Sequence, residues 1–248
     1  MQKIVMCFLF TGIFFSAKAQ DKPFDTWAAG INAGLYGIGI QGATSIHPHL
    51  KLRSGIDFFT YSHDEAITFD ATAEHPQGGE IVVEGEITEA SVNFSNFKIL
   101  LDYYPMENSI FSLTAGFYLG KNSTNANGLI KNYQELKQQL GEKPELRYED
   151  IVISPRDDGS FDGKLHMGNG IKPYFGIGLG RTIPITRVGF RFELGLVYQG
   201  NYELESGNVN EAGQAWVDRM AEELELPVSQ STLNWWPMVN FSLSYRIN

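Results

Sequence analysis

Asp158-Gly-Ser160-Phe-Asp162-Gly163 has the opening of a calcium loop, with oxygen ligands at its first, third and fifth positions and glycine at its sixth. The twelfth position falls on Asn169 instead of a bidentate Glu and no helical pair flanks the segment, so it reads as an Asp/Gly turn. Gly176-x-Gly178-x-Gly180 has the glycines of a phosphate loop, but they recur at every second residue of a strand pattern with no helix behind them. That spacing clears one strand face for bulky neighbours. His47 and His49 bracket Pro48 in a turn, and His63-Asp64 lies where a strand enters a loop, with no Ser or second Asp assignable beside it. His75 and His166 complete the set. No catalytic residue, metal site or cofactor is expected.

Seven further charges share a positional rule, because Arg53, Asp57, Lys98, Asp102, Arg191, Glu193 and Arg246 all sit on the polar side of alternating stretches. In Arg187 to Asn201, Val188, Phe190, Phe192, Leu194, Leu196 and Tyr198 alternate with Gly189, Arg191, Glu193, Gly195, Val197 and Gln199. A period of two is the signature of β-strands, and the pattern recurs along most of the chain. With 13% aromatic residues and 26 glycines in 248 residues, the composition is that of an all-β protein. Such strands suit either a soluble barrel with charges outside or a transmembrane barrel with charges in its lumen. In the second case four positive and three negative groups would pair and fill a narrow lumen.

The N-terminus supplies an address. Lys3, an apolar run from Ile4 to Ser16 and the small-x-small Ala17-Lys18-Ala19 form a signal peptide over residues 1–19, expected to be cleaved after Ala19. One domain, residues 20–248, would remain. The single cysteine, Cys7, falls inside the apolar run. Without Lys3 and Lys18 the chain has 17 basic against 29 acidic residues, a formal charge of −12. Binding to a phosphate backbone needs the opposite sign, so no nucleic-acid partner is expected.

Connections alternate in length. Residues 46–49, 105–108 and 183–186 are short and carry Pro48, Pro105 and Pro184, whereas 62–88, 122–169 and 202–230 are long. With a tight turn at Leu35-Tyr36 splitting the stretch from Thr26 to Gln41 into strands at about 25–34 and about 37–46, the count is eight antiparallel strands, with every long loop on one side. Val92 and Phe94 alternate on even numbers but Phe97, Ile99, Leu101 and Tyr103 on odd ones, which predicts a bulge between Phe94 and Phe97. Aromatic girdles are expected from Trp27, Tyr103, Tyr104 and Tyr245 on the turn side, and from Trp235, Trp236, Tyr198 and Tyr61 on the loop side. Amphipathic helices are predicted at Asn210 to Leu226 and, more weakly, at Leu129 to Leu140, packed over the barrel mouth. The long connections hold the whole negative excess, a net −15, so divalent cations or an external partner are expected at acidic residues such as Glu80, Glu84, Glu222 and Glu225.

With its signal peptide, eight amphipathic strands, one-sided loops and final strand Asn240-Phe-Ser-Leu-Ser-Tyr-Arg-Ile-Asn248, the chain resembles the small outer-membrane β-barrels grouped with OmpA, OmpX and OmpW. The resemblance implies a Gram-negative outer membrane, lipid around the barrel, and recognition of Phe241, Leu243, Tyr245 and Ile247 by the barrel-assembly machinery. Ile247-Asn248 departs from the group's usual terminal aromatic. The function expected is a non-enzymatic, filled barrel with a surface structural or interaction role. The alternatives are a narrow porin-like conduit or binding site for a small solute, hydrophobic ones included, and a soluble secreted ligand-binding barrel.

Overall fold

The computed structural model describes residues 22–74, 79–106, 109–140, 144–148, 151–206, 208 and 234–248. Their strands are β1 (Trp27–Gly34), β2 (Gly37–His47), β3 (Leu50–His63), β4 (Ile67–Glu74), β5 (Glu80–Tyr103), β6 (Phe111–Ile130), β7 (Leu146–Tyr148), β8 (Ile151–Ile153), β9 (Ser160–Met167), β10 (Ile171–Gly180), β11 (Val188–Tyr198), β12 (Tyr202–Glu205) and β13 (Trp235–Arg246). One helix, α1 (Tyr133–Leu140), interrupts them. All thirteen strands belong to one antiparallel sheet.

Part of that sheet closes on itself. From Phe111 on β6 the cross-strand partners run through Leu179, Phe192, Phe241, Ala33, Ile38, Phe58 and Ser95, and return to β6 at Lys121. The path comes back ten residues further along the strand it left. Such a stagger is what a ring of tilted strands requires. The proline-bearing turns and both described ends of the chain lie at one rim, where Ile247 N donates to Trp27 O at 2.8 Å.

Within the ring, alternation decides which way each side chain points. Ile31, Ile40, Ile56, Phe97, Ile99, Leu113, Phe117, Ile177, Leu194, Phe241 and Leu243 are exposed on the outside, while their polar neighbours are buried inside. No bulge is needed at Phe94 to Phe97, because β3 and β5 pair without interruption from Leu50↔Tyr103 to His63↔Ala90. Phe94 faces inward. The irregularity in β5 lies between Ile87 and Glu89, opposite β6.

The count of eight omitted five strands. Residues 62–88 and 122–169 were expected to be loops, but they hold β4, β7, β8, β9 and the far halves of β5 and β6, and β12 adds to the same extension. Phe69, Ala71, Ala73, Ile81, Val83, Ile130, Leu146, Ile153 and Phe161 form its core with Tyr133 and Leu136 of α1. This extension, here called the head, has its own apolar interior. Ser154 N donates to Asn208 O at 2.6 Å, linking the segments that follow β8 and β12. The helix expected from Leu129 starts at Tyr133, because Leu129 and Ile130 still pair within β6. The helix expected at Asn210 to Leu226 lies outside the described residues.

Candidate functional site

Six of the seven charges on the polar strand faces meet inside the ring. Arg53 on β3 and Arg191 on β11 both grip Glu193, each with Nη2 at 2.6 Å from Oε2, and both reach Asp102 Oδ1, at 3.1 and 3.2 Å. Thr114 and Thr182 donate to the two oxygens of Asp102 at 2.7 and 2.5 Å, and Tyr174 donates to Glu193 Oε1 at 2.7 Å. Arg191 also donates to Ser112 Oγ and Tyr104 Oη, at 2.8 and 3.1 Å. One level toward the head, Lys98 Nζ lies 2.8 and 3.1 Å from the oxygens of Asp57, and Asn32 bridges the pair. All six are buried, and three cations balance three carboxylates. Shared hydrogen bonds of this kind are what allow charges to persist out of water.

Room for these side chains comes from glycine. A Cβ on Gly178 would lie 2.3 Å from Arg191 Nη2, and one on Gly39 would lie 2.1 Å from Asp57 Oδ1. The glycine run therefore clears an inner face, as its spacing predicts. Arg246 does not join the network. It lies at the rim, where its guanidinium donates to the carbonyls of Asn248 and Ile185 at 2.8 and 3.4 Å. Two of the expected girdle aromatics also turn inward: Tyr104 bonds Thr182 and Arg191, and Trp236 packs in the interior. Trp236 occupies an even-numbered, inward position of β13, and Tyr104 directly follows the last residue of β5. Phe241, Leu243, Tyr245 and Ile247 are all exposed on the outer face.

On the head side of the charges the interior becomes aromatic and amide-rich. Tyr36, Phe94, Tyr118 and Tyr174 pack edge to face beside Met238, with Tyr36 and Tyr118 rings 5.3 Å apart. Asn96 donates to Asn122 at 2.7 Å, and the buried Lys172 donates to Asn96 Oδ1 and Gly120 O at 3.1 and 2.7 Å. Lys172 escaped sequence reading. Its signal is parity, since residue 172 shares the inward face of Tyr174, Gly176 and Gly178.

The other candidates stay apart from this interior. Asp158 Oδ1 accepts from the backbone N and the hydroxyl of Ser160 at 2.9 and 2.6 Å, which holds its carboxyl below the usual range, and Asp162 is engaged by Arg156. Those oxygens form a turn, with Gly159 at φ 86°. His47 and His49 stack at 5.7 Å in their turn, and His49 Nδ1 lies 2.7 Å from Tyr104 O. His166 pairs with Glu205 at 2.7 Å in the head. Glu84 lies 2.5 Å from Lys131, Glu80 is exposed, and Glu222 and Glu225 lie outside the described residues. Among the described residues no group of three or more His, Cys, Asp or Glu is placed to hold a metal.

A ring of antiparallel strands, apolar without and charged within, belongs to the β-barrel class. No family model and no curated protein matches the chain. Among solved structures, CarO2 of Acinetobacter baumannii is similar over 91% of this chain and 100% of its own, with a TM-score of 0.50 and 14% identity. CarO of the same organism is similar over 88% of this chain and 96% of its own, with a TM-score of 0.49 and 16% identity. What this chain shares with CarO2 is the fold.

Proposed function

We propose that this chain is an eight-stranded outer-membrane β-barrel of a Gram-negative bacterium, of the OmpA, OmpX and OmpW kind, exported by a cleaved signal peptide. Its interior is filled, and its head is a surface for structural or interaction roles outside the cell. The observation that carries this reading is the inverted polarity of the ring, with Ile99 and Leu194 41% and 42% exposed on strands whose charges are buried. Water would not tolerate so continuous an apolar band, whereas lipid requires one. A soluble ligand-binding barrel would have to face the other way.

Paired charges, a buried aromatic layer and Thr182 folded in at the turn rim support the reading of a plug over that of a conduit, and the role proposed is non-enzymatic. Lipid surrounds the band, and the assembly machinery reads the outward row Phe241, Leu243, Tyr245 and Ile247. The acidic head meets divalent cations or an external partner. Two measurements test this. Heat-modifiable gel migration with detergent-dependent extraction is expected, and extraction by salt alone would remove the membrane assignment. Planar bilayers should show no steady conductance, and a stable open level would replace the plug with a pore.

A further inference from the structure

Lys172 stands out from every other buried charge. The six charges of the network neutralise one another, but the Lys172 ammonium is held only by two neutral oxygens, Asn96 Oδ1 and Gly120 O. Asn96 is spent further on Asn122, whose own amide reaches Gln199 at 3.5 Å. Amides soften a buried charge without cancelling it, so this level of the interior has a surplus of one positive charge among the described residues.

A second observation points the same way. The hydroxyl of Tyr118 and the indole N–H of Trp236 are buried without a partner, and both belong to the aromatic layer on the head side of the charge network. Tyr118 is the direct cross-strand partner of Lys172. Each of these groups can donate, and indole can only donate. Native interiors leave few such groups unmade, and when they do an ion or water accounts for them. Surplus donors beside a surplus cation describe the complement of an anion.

We propose that the head-side interior binds one small monovalent anion, a halide or the carboxylate of a small solute. Lys172 is its electrostatic anchor, and the anion takes hydrogen bonds from donors of this layer that the chain leaves unpaired. The inference concerns the interior and does not depend on the outer-membrane address.

The test uses the full-length mature chain in detergent micelles, melted in sodium isethionate, a bulky sulfonate, with chloride or acetate substituted at constant ionic strength. Ligands that bind only the folded state raise the melting temperature in a saturable way. Chloride, acetate or both should do so for the wild type, and which of them does distinguishes a halide site from a carboxylate site. Lys172→Met should abolish the response while melting no lower than wild type in isethionate, because the substitution removes an uncompensated charge. Lys172→Arg and the head variant Lys131→Ala should keep the response. A shift equal in all anions, or one that persists in Lys172→Met, would overturn the proposal. If Lys172→Met fails to assemble, chloride-35 line broadening displaceable by acetate, or acetate proton line broadening for a carboxylate-only site, decides instead on the wild type, and the absence of both overturns the site. Heat-modifiable migration of the same samples reports the barrel separately, so an assembled barrel without an anion response rejects this inference alone.

Discussion

Strands β5 and β6 run through both the ring and the head, and the two regions use them with opposite polarity. Near the turns, β5 buries Asn96, Lys98 and Asp102 and exposes Phe97, Ile99, Leu101 and Tyr103. In the head the same strand buries Val83 against Phe69, Phe161 and Ile130, and exposes Glu80 and Glu84. Cross-strand partners lie on one face, and both Phe94↔Asn122 and Gly85↔Ile130 place their residues on the inner side. The sheet face therefore never changes. The shift at Ile87/Glu89 moves the inward residues of β5 from even to odd numbers, while β6 keeps even ones. On the membrane reading proposed above, what changes is the solvent. Lipid outside calls for an apolar exterior and tolerates a polar, paired interior, whereas water outside restores the ordinary arrangement.

The most severe way to break this contrast is to unbalance the interior charges. Arg191→Ala leaves Asp102 and Glu193 short of a shared cation, and should cost about 3 to 5 kcal/mol, read as a fall in thermal or urea midpoint. An unchanged midpoint would mean that the network does not hold the ring. Next in size, Ile99→Arg should cost about 2 to 4 kcal/mol and impair assembly, and Leu194→Arg should behave alike. On the same outward face of β5, Val82 is 66% exposed in the head, and Val82→Arg should stay within about 0.5 kcal/mol. Equal penalties at residues 82 and 99 would erase the solvent boundary drawn between them.

Smaller effects sharpen the head. Ile153→Val trims its core and should cost about 0.5 to 1.5 kcal/mol, seen as faster proteolysis of the head with the ring's midpoint unchanged. The smallest effect is one of pH. His166 donates to Glu205 and holds that carboxyl below its usual range, so the contribution is present above the ordinary carboxylate pKa and is lost as pH falls through the lowered one. Amide exchange along β9 and β12 should then quicken in acid while β10 and β11 remain protected. Equal acceleration of all four strands would point to general unfolding.

The ring was legible in the sequence because its outer and inner faces contrast at every second residue, and the Leu35-Tyr36 turn and glycine run followed from the same rule. Parity alone also gathered the six network charges. It could not tell that Arg246 lies past the last inward level, nor that Phe94 faces an aromatic interior layer, since large apolar residues on one strand suit either face. The head was missed for a different reason. Ile67, Phe69, Ala71 and Ala73 do alternate with Thr68, Asp70, Thr72 and Glu74, but two of the apolar members are alanines and two of the polar ones are acidic. Such stretches resemble solvated loops until a partner strand covers them.

Because β5 and β6 stay paired from Gly85↔Ile130 to Tyr103↔Leu113, the head is joined to the ring by continuous β-ribbon as well as by connecting chain. Ladder hydrogen bonds lie across the strands. Drawing one strand lengthwise against the other would shear many of them together, whereas peeling the strands apart would break them one after another. A load applied to the head along this ribbon is thus carried into the wall of the barrel as tension.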